Sequence, residues 1–162
     1  MSPPVQQSGE FPAVADLLPH SGALVLLDRI VAADDESLTA TAQVTADGLY
    51  NQGDTVPAWV SMEYMAQAVA AFAGLSPYHR GEAIPLGFLL GSRRVEFNCP
   101  RFPVGSTLTI TVEKILQDDS GMAVFECHLS GDDAHPQRIQ ASARLNLYQP
   151  TDSDAFLRDN ND

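Results

Sequence analysis

The chain of 162 residues is 44% hydrophobic, 19% charged and 7% aromatic, with 11 Gly, 11 Pro and 2 Cys. That suits one domain of about 100–200 residues and excludes a collagen, a coiled coil and a disulfide scaffold. Nine basic against 21 acidic side chains leave a formal charge of −12, which repels a phosphate backbone and disfavours nucleic-acid binding.

Residues 1–12, rich in Pro, Gln and Ser, and the acidic segment 150–162 lack the apolar surface that offsets ordering entropy, and both are expected to be disordered. No basic region followed by an apolar one opens the chain. The longest apolar run is broken by Glu63 and Gln67 and falls short of the roughly 20 residues a bilayer requires. The expectation is a soluble, cytoplasmic, single-domain protein, with Cys99 and Cys127 as free, mostly buried thiols.

Leu24 to Val31 reads as a first strand, entered by a turn that carries His20. Leu38, Ala40, Ala42 and Val44 alternate with Thr39, Thr41 and Gln43, the pattern of a strand with one buried face. Ala58 to Leu75 reads as a helix, with Pro57 at its start, Gly74 and Pro77 at its end, and a buried stripe of Met62, Met65, Ala66, Val69 and Phe72. Its many alanines make it thin and nearly apolar all round, so it should be enclosed by other elements. Ile84 to Phe97 supplies a further strand, whose Gly87 and Gly91 suggest a bulge or amides open to a ligand. Three more alternating strands are centred on Leu108 to Val112, Ala123 to Leu129 and Ile139 to Leu147, joined by turns at Asp118–Gly121 and Gly131–Asp133. One helix with a mostly antiparallel sheet wrapped round it is an α+β domain.

Glu63 breaks the apolar pattern of the helix, one turn before Gln67. A carboxylate in an apolar setting tends toward the raised pKa that acid–base chemistry needs near neutral pH; the plain alternative is a first-turn Glu stabilised by the helix dipole. His20 suits proton transfer by its near-neutral pKa, or is simply a loop histidine. The remaining histidines show no metal-ligand spacing, and no phosphate loop or nucleophile elbow is present. Arg93, Arg94 and Arg101 gather three of nine basic residues into a short stretch able to meet an acidic partner, or are isolated charges on strand ends.

Leu17-Leu18-Pro19-His20 followed by Leu26-Leu27-Asp28-Arg29-Ile30 resembles the opening of the bacterial 3-hydroxyacyl-[acyl-carrier-protein] dehydratases of the FabA/FabZ type. Glu63-Tyr64-Met65-Ala66-Gln67-Ala68 is similar to that family's central-helix motif, and Phe97 to Gly105 to its later strand and turn. The resemblance spans about residues 13–149. Val56–Val60, Glu63–Gln67 and Gly87–Arg94 look in particular like the divergent dehydratases of aryl-polyene and xanthomonadin-type pigment clusters.

The resemblance implies a hotdog fold, a dimer or hetero-oligomer with another hotdog dehydratase, and a tunnel at the interface. It also implies an acyl carrier protein as partner and no metal or redox cofactor. The expected reaction removes water from a 3-hydroxyacyl thioester to give a trans-2-enoyl thioester. The family carboxylate carries over onto Glu63. The family's Gly-His-Phe-Pro-Gly segment does not: Asn51 to Ala58 holds no histidine, and Ala58 replaces the glycine at the helix start. His20 is therefore assigned as base by elimination, with Glu63 protonating the hydroxyl and Gln67 orienting Glu63. Amides near Ala58 or Gly91 polarise the thioester carbonyl, Phe88 and Trp59 contact substrate, and Arg93, Arg94 and Arg101 receive the carrier. A hotdog thioesterase and a non-catalytic hotdog subunit remain the alternatives.

Overall fold

A computed structural model describes residues 11–19, 22–85, 87–132 and 138–150. The strands are β1 (Arg29–Ala33), β2 (Ser37–Gln43), β3 (Thr55–Pro57), β4 (Phe88–Phe97), β5 (Arg101–Pro103), β6 (Thr107–Gln117), β7 (Met122–Gly131) and β8 (Gln140–Tyr148), and the long helix α1 is Ser61–His79. Six strands form one antiparallel sheet in the order β1-β2-β6-β7-β8-β4, and β3 pairs with β5 in a separate ribbon.

The alternation expected of β2, β6, β7 and β8 holds. Leu38, Ala40, Ala42, Leu108, Ile110, Val112, Phe125, Cys127, Leu129, Ala143 and Leu145 form one buried face against α1. The expected turn at Asp118–Gly121 joins β6 to β7, and the one expected at Gly131–Asp133 lies partly outside the described residues. Cys99 and Cys127 are both free and buried. This is the hotdog architecture, a large antiparallel sheet packed on one long helix.

Four expectations need correction. α1 runs past Gly74 and Pro77 to His79, and Ala58–Val60 is a 3-10 turn that precedes it. Gly74 is a packing residue rather than a stop, because a Cβ there would lie 2.8 Å from the Leu17 carbonyl oxygen. Pro77 is tolerated because it falls in the last turn, where only one hydrogen bond is lost.

β1 begins at Arg29 rather than Leu24, since Gly22–Leu24 forms a 3-10 turn and the backbone of Leu24 and Leu26 is held by the Gln67 side chain. β4 begins at Phe88, and bulges between Leu89 and Gly91 and between Arg93 and Glu96 interrupt its alternation. Finally, α1 is not enclosed all round. Met65 and Val69 are buried as expected, but Met62, Ala66, Ala70, Phe72 and Ala73 are only half-buried.

Candidate active site

The open flank of α1 faces a cavity of about 1660 Å³. Ala66, Ala70 and Ala73 form its floor along the helix, Glu63 stands near one end, and the inner face of the sheet supplies Lys114, Phe125, Leu89 and Leu147. The small helical side chains are what leave the space open.

Glu63, in the first turn of α1, is half-buried. Gln67 follows one turn later on the same side and is fully buried. Its Nε2 donates to Glu63 Oε1 at 3.0 Å and to the Leu24 carbonyl at 2.6 Å, while its Oε1 accepts the Leu26 N–H at 2.9 Å. A buried amide with all these partners has one orientation available, so the Glu63 oxygen it touches is held in place. Behind this pair, burial first and the Asp28 carboxylate second push the Tyr64 hydroxyl up to about 12.

His20 lies outside the described residues; Pro19, the residue before it, is part of the cavity wall. The remaining expected site residues are dispersed. The Ala58 N–H donates to the Pro100 carbonyl at 2.9 Å, so this particular amide is already engaged within the chain. Trp59 is exposed, packs edge-on against Tyr50 with ring centres 5.9 Å apart, and is outside the cavity wall. Leu89 rather than Phe88 lines the cavity, since the two neighbours alternate across the sheet. Gly91 follows the first bulge of β4, pairs with Asn146 on β8 and is not part of that wall.

Arg93 and Arg94 are exposed on β4, where Arg94 has a left-handed backbone (φ 53°), so strict alternation does not set the directions of this pair. Arg101 is on the other sheet, its guanidinium donating to Gln52 Oε1 at 3.2 Å and Thr55 Oγ1 at 3.4 Å. Among the described residues no group of three His, Cys, Asp or Glu side chains is placed to hold a metal ion, and no helix is long and apolar enough to cross a membrane.

Sequence reasoning missed Lys114, whose ammonium lies 5.8 Å from the centre of the Phe72 ring inside the cavity wall. The signal was present: Lys114 continues the inward series Leu108, Ile110, Val112, where the pattern calls for an apolar residue.

The family model of the ApeP dehydratases matches residues 12–158. The chain belongs to the ApeP-like dehydratase family. The 3-hydroxyacyl-[acyl-carrier-protein] dehydratase FabZ of Streptococcus thermophilus is 27% identical over 119 residues, which cover 70% of this chain and 81% of that enzyme. Among solved structures, a chain of the dehydratase heterocomplex ApeI:P from Xenorhabdus doucetiae superposes with a TM-score of 0.79 at 32% identity, covering 93% of this chain and 99% of that one. A hypothetical thioesterase of Streptococcus pneumoniae, with coenzyme A, gives a TM-score of 0.55 at 14% identity, covering 75% of this chain and 86% of that one. The last shares the fold alone. The ApeP-like chain is thus a FabZ/ApeP-type hotdog dehydratase in family, with a carboxylate–amide pair on its central helix.

Proposed function

We propose that this chain dehydrates 3-hydroxyacyl thioesters carried on an acyl carrier protein, as part of an assembly with a second hotdog chain. The observation that carries the reading is the Glu63–Gln67 pair beside an open cavity of about 1660 Å³. A base removes the C2 proton, the C2–C3 double bond forms, and the 3-hydroxyl leaves as water after taking a proton from an acid. Glu63, oriented by Gln67, is the acid; His20, next in the chain to cavity-lining Pro19, is the base.

Two features support the assembly. The chain resembles, at 32% identity over 93% of its length, a chain of a dehydratase heterocomplex. β4 is the last strand of its sheet, and Leu89, Leu90, Val95 and Phe97 along it are exposed. An apolar open edge of that kind is a template for strand pairing. On an acidic protein, exposed Arg93 and Arg94 on the same strand suit an acidic carrier; Arg101, already engaged by Gln52 and Thr55, is the weaker member of that group.

The test is conversion of 3-hydroxyacyl-carrier protein to the enoyl form by the purified full chain, alone and co-expressed with a hotdog partner. Full activity retained by both Glu63→Gln and His20→Ala would sink the assignment. Release of free thiol from acyl thioesters would favour hydrolysis, because dehydration liberates none. A second reading, a non-catalytic subunit, is favoured by the likeness to a chain of a dehydratase heterocomplex and by the missing family histidine. It predicts that Glu63→Gln leaves the activity of the mixed assembly unchanged.

A further inference from the structure

Lys114 lines the cavity beside the rings of Phe72 and Phe125. It sits on the inward face of β6 opposite Phe125, its ammonium over Phe72, and Phe72 meets Phe125 edge-on with centres 5.5 Å apart. A ring face attracts the charge but offers no lone pair in line with an N–H, so the three ammonium donors are left to solvent or to a ligand oxygen. Phe72 lies nine residues after Glu63, about 13 Å along the helix axis. Both line the same cavity.

We infer that Lys114 reads the distal end of the acyl chain, favouring chains that carry a neutral oxygen acceptor there over plain alkyl chains of equal length. This deepens the dehydratase reading and rests on it for the identity of the ligand. A plain alkyl tail filling the space over Phe72 strips water from the ammonium and returns no hydrogen bond, which opposes its binding. A hydroxyl or carbonyl oxygen at that point replaces the lost water. Asp34, Asp35 and Glu36 line the same cavity and the Lys114 backbone N–H donates to the Glu36 carbonyl at 2.7 Å, so the local field disfavours an anionic tail. Neutral acceptors are what remain.

The experiment measures binding of three S-alkyl pantetheine thioethers to the full chain by calorimetry. Two have equal length and reach Phe72, one ending in a methyl and one in a hydroxyl; the third, S-propyl pantetheine, is too short to reach it. The wild-type chain should bind the hydroxyl-ended probe about tenfold more tightly than the methyl-ended one, the scale of one charge-assisted hydrogen bond. Lys114→Met should abolish that preference and leave the short probe unchanged, while Lys114→Arg should retain it. No preference in the wild type, or an equal preference in Lys114→Met, overturns the inference. Turnover of a short 3-hydroxyacyl substrate is assayed in parallel. Turnover without the preference refutes only the Lys114 role, and the preference without turnover refutes only the dehydratase reading.

Discussion

Gln67 Nε2 lies 3.0 Å from Glu63 Oε1 and 2.6 Å from the Leu24 carbonyl oxygen. One buried amide therefore ties the carboxylate of the central helix to the backbone of the Leu24–Leu26 segment. Its loss affects both. Gln67→Met should strand the Leu26 N–H and the Leu24 carbonyl, costing about 2–4 kcal/mol of stability, read from urea unfolding midpoints at unchanged slope.

Glu63 is half-buried, and the amide oxygen of an isosteric glutamine can still accept from Gln67. Glu63→Gln should leave stability within about 1 kcal/mol of the wild type while lowering the dehydration rate by about 10²–10⁴-fold, the usual worth of a positioned acid. A matched loss of stability and rate would make Glu63 structural.

Gly74 sets how closely α1 approaches the N-terminal segment. A methyl group there meets the Leu17 carbonyl oxygen at 2.8 Å, and backbone on both sides cannot easily give way. Gly74→Ala should destabilise by about 1–3 kcal/mol despite the better helix propensity of alanine. Gly91→Ala, where a Cβ meets nothing within 4 Å, is the control and should leave the thermal midpoint nearly unchanged.

Two buried groups set an alkaline limit. Burial, helped by the Glu126 charge, pushes the Cys127 thiol from 9.0 up to about 12, and burial with Asp28 pushes Tyr64 from 10.0 up to about 12. In the unfolded chain both ionise earlier, so folding holds their protons on. The stabilisation is therefore complete below about pH 9 and falls as pH rises from there toward 12. Urea midpoints should decline above pH 9, and Cys127→Ala should remove the earlier part of the decline. A midpoint flat to pH 11 would contradict this.

For carrier docking, double charge reversal at Arg93 and Arg94 should raise KM for carrier-bound substrate and leave a small pantetheine thioester nearly unaffected. The effect should shrink as salt screens charges beyond about 8–10 Å. Arg101→Glu is expected to differ, because it also breaks the contacts to Gln52 and Thr55 ahead of the helix. Equal losses on both substrates would assign all three arginines to the fold.

The strands β2, β6, β7 and β8 and the core of α1 were legible in the residues, because a period of two or 3.6 states which face of an element is buried. The i, i+4 spacing of Glu63 and Gln67 was legible for the same reason. What periodicity leaves open is the identity of the neighbour across a gap. Gly74 reads as a helix stop until Leu17 is seen against it, and the Ala58 amide reads as available until Pro100 takes it. Leu24 to Leu27 reads as strand in its apolar run, yet the Gln67 amide claims the backbone at Leu24 and Leu26 before pairing with Thr41 begins at Asp28. Lys114 departs from its own strand's alternation, but only the packing of β6 over Phe72 makes it part of a cavity wall. Each of these rests on contacts between residues distant in the chain, where a single hydrogen bond or a single methyl outweighs local preference.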